Sequence, residues 1–358
     1  MKKKSFDNPN KTKHGRHLFR LIANLIAVLF ILGFALAIAS LVLIKYLDAP
    51  TGRVDPEGVL FTIQSGESGT VTARRLAERD IIRSELLFKF FIRISRLDSS
   101  IKSGTYRIDS ELSTNAVLRL FIDGRQVLKR LVIPEGRTLR QVANLVEQAG
   151  ISGSEAFLSA ARNPELLASF AIPGDSAEGY LFPDTYYFVE NSAPDDVVAF
   201  MIRQLFSRLQ DLAPEAALLD SSELHDRIIL ASIVEREYRI PEEAALMAGV
   251  FYNRLNRGIG LQSCATVVYV ITEELGKPHP ARLFNRDLEL FSPFNTYRWA
   301  GLPPAPICSP GSVALKAVFQ PEPSRYLYFR LIDGTSGKHY FSETFDEHID
   351  AASLAVKP

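Results

Sequence analysis

Residues 231–255 read ASIVEREYRIPEEAALMAGVFYNRL. The stretch begins as an apolar helix, runs into two glutamates, meets Pro241 and resumes as a second helix. At about 3.6 residues per turn, Leu230, Ile233 and Val234 form one apolar stripe, and Glu237 falls on it. Glu235 lies on another side, in line with Ile228, Ala231 and Ser232. A carboxylate at the end of a core stripe is costly without a partner, and burial raises its pKa. The same environment suits a general acid. The competing reading is a surface glutamate near a helix end, paired with Arg236 or Arg254. Three features favour the acid: the stripe, the break at Pro241 that would open a cleft, and the polar and aromatic loops that follow. Those loops are LQSCATVVY (261–269) and SPFNTYRWAGLPPAP (292–306). In such loops Tyr and Trp can stack on sugar faces while Asn, Gln and Ser bind hydroxyls.

The chain has 358 residues, formal net charge zero and 47% hydrophobic residues. That length fits two or three domains, and the zero balance carries no global signature for nucleic acid. The first 20 residues, MKKKSFDNPNKTKHGRHLFR, are basic, and Leu21 to Ile44 carry no charge. This run is long enough for the ~30 Å hydrocarbon core of a bilayer and too long for a signal-peptide apolar segment. Lys and Arg precede it far more than they follow it, so the N-terminus is expected in the cytoplasm and the remainder outside. The expected organisation is a basic tail (1–20), a transmembrane helix (21–45), a linker (46–58), a small unit (59–125) and a larger domain (126–350).

From Val59 the pattern alternates between strand-like and helical segments, an α+β chain. Ser84 and Ser113 or Thr114 are predicted N-caps, Gly124 a helix stop, and Asp220 with Glu223 a capping box. A faint repeat at an offset of 70 aligns Ile63, Gly66, Ser68, Ala73 and Leu76 with Ile133, Gly136, Thr138, Ala143 and Val146. Two ordinary strand–turn–helix units would give the same matches. The tail is predicted as a hairpin, YLYFRLI and HYFSE around DGTSGK, followed by a short helix.

The six histidines stand in no zinc spacing, and there is no CxxC, P-loop, GxGxxG or G-x-S-x-G. No metal and no cofactor are expected. Ser99-Ser100-Ile101-Lys102 matches SxxK, but no SDN or KTG follows, and it reads as a turn.

LASIVERE (230–237), AGVFYNRL, LQSCATVVY, SPFNTY and GLPPAPICSPG together closely resemble the endolytic murein transglycosylases, the YceG-like or MltG family. KSGTYRI, VIPEGRTLRQVA, EGYLFPDTYYF and the HYFSETFDEH tail resemble it too, so the likeness runs from about residue 20 to residue 350. The resemblance implies a single N-terminal membrane helix, a LysM-like subdomain at 59–125 and a mixed α/β catalytic domain. It implies that Glu237 is the catalytic glutamate, acting first as acid and then as base. The substrate implied is the nascent peptidoglycan glycan strand, cut at MurNAc-β-1,4-GlcNAc to leave 1,6-anhydro ends. Peptidoglycan synthases, the penicillin-binding proteins, are the implied protein partners, and cell division the implied setting. Gln262, Ser263, Thr266 and Tyr269 lie on the family's Gln-Thr-Asp-Pro-Thr loop, and Asn295, Thr296 and Tyr297 on its Asn-Thr-Tyr segment. All seven are expected to bind substrate or to shape the loops. Glu178 and Asp184 are expected to cap turns in preference to lining the cleft.

The chain departs from the family where Cys264 and Ala265 replace Asp and Pro. Cys308 sits in the GLPPAPICSPG loop, and a disulfide between Cys264 and Cys308 is expected to tie the two loops on the oxidising side. Three rivals stand beside the transglycosylase. A muramidase would use water and a second carboxylate, Glu235 or Asp287. A non-catalytic glycan-binding scaffold would tolerate loss of Glu237. A structural cell-division protein would need only the membrane helix and protein contacts.

Overall fold

The computed structural model describes residues 9–64, 66–95 and 100–354. Ser99 of the SxxK match and the first eight residues of the basic tail lie outside the described residues. The chain divides into two compact units, Met1–Val127 and Leu128–Pro358.

The first unit opens with helix α1, Pro9–Asp48. Its stretch Asn24–Asp48 is long and apolar enough to cross a membrane, and none of it is buried. The helix therefore starts inside the expected basic tail and runs three residues into the expected linker. The rest of that linker is tied down. Asp48 accepts a hydrogen bond from the Asn115 N–H at 2.8 Å, and Arg83 donates to the Pro50 carbonyl at 2.8 Å.

Strand β1 (Val59–Ile63), helices α2 (Gly69–Glu78) and α3 (Glu85–Ser95), strand β2 (Gly104–Ile108) and helix α4 (Thr114–Asp123) follow. β1 and β2 pair antiparallel from Val59↔Ile108 to Ile63↔Gly104. Alternate residues Phe61, Ile63, Tyr106 and Ile108 point into a core completed by Leu76, Phe88 and Phe121. The ends form as their residues predict. Ser113 caps α4 through the Ala116 N–H, and Gly124 closes it at φ 71°.

The second unit begins with the same plan. Strand β3 (Leu128–Val132) leads through Gly136 to helix α5 (Leu139–Gln148), then α6 (Ser154–Ala160) and α7 (Pro164–Ser169), and returns as β4 (Thr185–Val189). β3 and β4 pair antiparallel, Leu128↔Val189 to Val132↔Thr185. The offset of 70 is met in geometry. Gly66 and Gly136 have φ of 77° and 70°, Ser68 and Thr138 are both side-chain N-caps, and the three apolar pairs are buried.

Helix α8 (Pro194–Leu212) and helix α9 (Ser221–Glu237) carry the larger core. Asp220 and Glu223 form the predicted capping box on α9. A three-residue turn at Pro241 separates α9 from α10 (Ala244–Asn256). Two short helices were not expected, α11 (Cys264–Tyr269) and α12 (Ser312–Phe319); α12 packs against α9 and α10. The hairpin β5 (Tyr328–Asp333) and β6 (Lys338–Ser342) and helix α13 (Phe345–Asp350) follow as predicted, before a last 3-10 turn at Ala351–Leu354.

Gly179 joins EGYLFPD to the GLPPAP loop. Its φ is +83°, and a Cβ there would stand 2.3 Å from the Pro306 Cβ. Gly179→Ala adds both a left-handed strain and a steric clash, and should cost roughly 2–4 kcal/mol. Urea denaturation of the detergent-solubilised chain checks this. An unchanged midpoint would show that the two loops do not meet as described.

Candidate active site

The site is built at the C-terminal end of α9. Every residue from Ile228 to Val234 is at most 2% exposed, so this part of the helix is buried on all sides. The dry surface of α9 therefore extends beyond the stripe, to the face that Glu235 shares with Ile228, Ala231 and Ser232. The GLPPAPICSPG loop covers it. Ser232 Oγ accepts from the Ile307 N–H at 3.0 Å, and Cys308 Sγ donates to the Ser232 carbonyl at 3.2 Å.

Glu237 is the last residue of α9. Its Oε1 accepts a 2.5 Å hydrogen bond from Ser263 Oγ. Burial pushes its carboxyl above the usual carboxylate range. The Ser263 hydroxyl, the Ala265 backbone N–H and, behind them, the charges of Arg236 and Arg239 oppose that rise. Neither arginine of the competing reading pairs with it. Arg236 donates to the Gly136 carbonyl at 3.2 Å, and Arg254 turns the other way.

Ser263 is held from behind. Its N–H donates to Thr296 Oγ1 at 3.0 Å, its carbonyl accepts from Thr266 Oγ1 at 2.8 Å, and the two threonine hydroxyls meet at 3.0 Å. Asn295 uses its amide to clamp the Leu288 and Leu290 carbonyls at 2.9 and 2.8 Å, and its Oδ1 accepts from the Tyr297 N–H. Thr266, Asn295 and Thr296 are buried and spend their hydrogen bonds within the loops. Of the two roles expected for them, binding substrate or shaping the loops, these hydrogen bonds supply the second.

Arg254, a pairing partner for Glu237 only in the competing surface reading, is the main tie. This buried guanidinium donates to the Gly260 carbonyl at 3.0 Å, the Leu327 carbonyl at 3.2 Å and Gln262 Oε1 at 2.7 Å. Gln262 is exposed and sits at φ 51°, an uncommon conformation for a residue with a Cβ. An isolated arginine in a helix gives no sequence signal for such a role.

Tyr269 packs its ring on Phe294, centroids 4.9 Å apart, with its hydroxyl 3.5 Å from Glu178 Oε2. Tyr297 places its hydroxyl 3.1 Å from Cys264 Sγ. Both cysteines are free: Cys264 is exposed beside Tyr297, and Cys308 is buried against α9. The expected disulfide is therefore not formed, because Cys308 faces inward to the Ser232 carbonyl. Burial pushes both thiols up.

The other carboxylates are occupied. Both oxygens of Glu178 accept from the Leu139 N–H that opens α5, at 2.9 and 3.0 Å. Burial raises this group to about 8, with Glu273 adding to the rise. Asp184 accepts from the Thr185 N–H, Gln204 and Arg208. Glu178 thus caps the first turn of α5, whereas Asp184 ties the start of β4 to α8. Glu235 accepts from the Gly311 N–H at 2.9 Å and is raised to about 7 by burial, with a further push from Glu135. Two positions along a helix turn the direction by about 200°, so Glu235 and Glu237 leave α9 on opposite sides. Asp287 caps its own turn through the Phe284 N–H at 2.8 Å.

A cavity of about 460 Å³ borders the site, lined by Arg140, Arg236, Ala265, Tyr269, Lys277 and Ile307 among others. Its link to Glu237 is Ala265, whose N–H reaches the carboxylate. Among the described residues, no group of His, Cys, Asp and Glu side chains gathers to hold a metal ion.

Two measurements test this electrostatic picture. Ser263→Ala removes a donor to the ionised form, so the Glu237 titration should move further up in carboxyl-carbon NMR. A downward shift would contradict the geometry. Glu178 has a folded pKa above its unfolded value, so between the two the unfolded chain ionises while the folded chain keeps its proton. Its contribution to stability is therefore lost as pH rises, and Glu178→Gln should gain on wild type between about pH 5.5 and about pH 8.5. Urea midpoints at both pH values read this, and a constant difference would show that Glu178 does not titrate there.

Residues 61–353 match the YceG-like family model. A relative from Bacillus subtilis named endolytic murein transglycosylase is 28% identical over 320 residues, covering 85% of this chain and 86% of its own. A Streptococcus pneumoniae protein of the same name is 30% identical over 316 residues; these are 80% of this chain but 56% of that longer protein. The crystal structure of a yceG-like protein from Listeria monocytogenes superposes with a TM-score of 0.55 at 29% identity, over 83% of this chain and 99% of its own. With the family match spanning all but the two ends, the chain belongs to the YceG-like family.

Proposed function

We propose that the protein is a membrane-anchored endolytic peptidoglycan lytic transglycosylase, with Glu237 as its acid and base. The observation that carries this reading is the setting of Glu237. It is a carboxyl raised by burial, met by one hydroxyl and one backbone N–H, with no second carboxylate hydrogen-bonded to it among the described residues. The name shared by the Bacillus and Streptococcus relatives supports the same reaction.

Protonated Glu237 donates to the glycosidic oxygen as the MurNAc C1–O bond of the β-1,4 link breaks. The resulting carboxylate then takes the proton of the C6 hydroxyl as that oxygen bonds to C1. The products are a free GlcNAc 4-hydroxyl and a 1,6-anhydro-MurNAc end, and Glu237 finishes protonated. Attack within one sugar removes much of the entropic barrier of a bimolecular step. A hydrolase would need a second carboxylate to activate water. The candidates for that role, Glu235 and Asp287, are engaged elsewhere, which favours the intramolecular route.

Gln262, Tyr269 and Tyr297 remain as the glycan-contacting residues of the expected set, while Ser263 orients the acid. Helix α1 would anchor the chain with its basic end in the cytoplasm and everything after it outside. The β–α–α–β order of the first unit supports its reading as a LysM-like, glycan-touching module. Growing strands made by penicillin-binding synthases would be the source of substrate.

Mass spectrometry of strands digested by wild type and by Glu237→Gln tests the proposal. Anhydro ends from wild type, with at least about a thousandfold loss in the variant, are expected. Reducing ends, heavier by one water, would make the protein a muramidase. Equal activity in the variant would remove Glu237 from the chemistry.

A further inference from the structure

Helix α3 is more apolar than its own packing requires. Every residue from Leu86 to Ile94 is apolar except Lys89 and Arg93. At about 100° per residue these apolar positions cover about 240° of the helix, where a surface helix ordinarily needs a stripe of about 100°. Leu87, Phe88 and Ile92 are buried, the last two in the core of the first unit. Leu86, Phe90 and Ile94, four residues apart, form a second stripe that stays in solvent, at 78%, 47% and 64% exposed. Lys89 and Arg93 run beside it, with Lys89 paired to Glu85.

The place of this stripe in the first unit selects its occupant. The apolar run of α1 ends at Lys45, and Tyr46 follows, residue types that settle at a membrane–water boundary. The Arg83 guanidinium stands 4.7 Å from the Tyr46 ring centroid. It donates to the Ala49 carbonyl at 3.2 Å and to the Pro50 carbonyl at 2.8 Å. From another side Thr114 Oγ1 donates to the Leu47 carbonyl at 3.3 Å, and Asp48 accepts from the Asn115 N–H. The unit is thus fastened to the last turn of α1, with no slack at the exit. α3 touches α1 and begins at Glu85, two residues after Arg83. It therefore starts at the level where α1 leaves the hydrocarbon.

We propose that the Leu86–Phe90–Ile94 stripe rests on the bilayer that α1 crosses, in the leaflet from which the first unit emerges. The three side chains enter the boundary between headgroups and acyl chains, and Lys89 and Arg93 reach along the surface to lipid phosphates. Because the two helices touch, one bilayer accounts for the exposed apolar surface of both. The inference rests on the reading of α1 as a membrane anchor and is independent of the reaction at Glu237. It makes the first unit part of the membrane contact.

Trp299 is the single tryptophan of the sequence, so in a Trp299→Phe background one introduced indole reports its own surroundings. The full chain is reconstituted in phospholipid nanodiscs whose acyl chains are brominated near the headgroup, brominated near the midplane or unbrominated. Phe90→Trp should lose roughly half of its emission to the shallow bromines and less to the deep ones. Leu86→Trp, at the most exposed position of the stripe, repeats that reading. Phe34→Trp, near the middle of Asn24–Asp48, should show the reverse order of quenching. Lys89→Trp, on the charged side of α3, should lose at most about a third as much as Phe90→Trp. Quenching at Phe34 with none at Phe90 and Leu86 overturns the docking of α3 and leaves the anchor intact. Equal losses at Lys89 and Phe90 overturn the assignment of the stripe to lipid. Emission from Phe90→Trp that is blue-shifted yet untouched by either bromine places a protein surface over the stripe, from a second copy or a partner, and overturns the proposal too. No quenching at Phe34, Phe90 or Leu86 removes the anchor and the docking with it.

Discussion

The second unit is organised around the hydrogen bond from Ser263 to Glu237 and the burial that makes it necessary. A carboxyl at the end of a dry helix must be given a donor or be kept protonated. The chain does both. Ser263 and the Ala265 N–H are brought to Glu237 by a loop, and that loop is stiffened by Thr266, Thr296 and the buried guanidinium of Arg254. The polar residues of the two loops form a graded support, with the outermost members, Gln262 and Tyr297, left nearest to solvent. Removing water from the carboxyl, and not any charge partner, sets its acidity.

The helix caps and strand pairs follow directly from local chemistry. Ser68, Ser113, Thr138 and Asp220 each stand before an apolar periodic run, and each accepts an N–H from the first turn. The repeat at an offset of 70 was legible because a strand, a left-handed glycine and a hydroxyl cap leave the same spacing twice. What stayed hidden has a common cause. α12 spells SVALKAVF, eight residues behind a proline-rich loop, too short and too uniformly apolar for its period to separate helix from strand. Arg254 is a long-range tie made with backbone carbonyls, and backbone carbonyls carry no sequence identity.

The apolar stripe alone does not separate Glu237 from Glu235. The stripe marks Glu237 as facing the core, but Glu235 faces a core surface too and is raised to about 7. The difference lies in what each meets. Glu235 closes onto the Gly311 N–H of a packed loop, whereas Glu237 meets a serine and Ala265, which lines an open cavity. Periodicity reports the direction of a side chain and not the emptiness beyond it. The resemblance to the family distinguishes the two residues by position, since Glu237 is the second glutamate of the VERE run.

The protonated carboxyls also change what the molecule is as a charged particle. The formal balance of zero assumes that every Asp and Glu is ionised at pH 7. Glu178, with a pKa of about 8, keeps most of its proton there, and Glu235, at about 7, keeps about half. Burial thus makes these two carboxyls hold protons that the unfolded chain gives up near neutral pH. Their contribution moves the native charge in the positive direction relative to the denatured chain, against the opposite pull of His225 and His348, whose pKa values burial lowers.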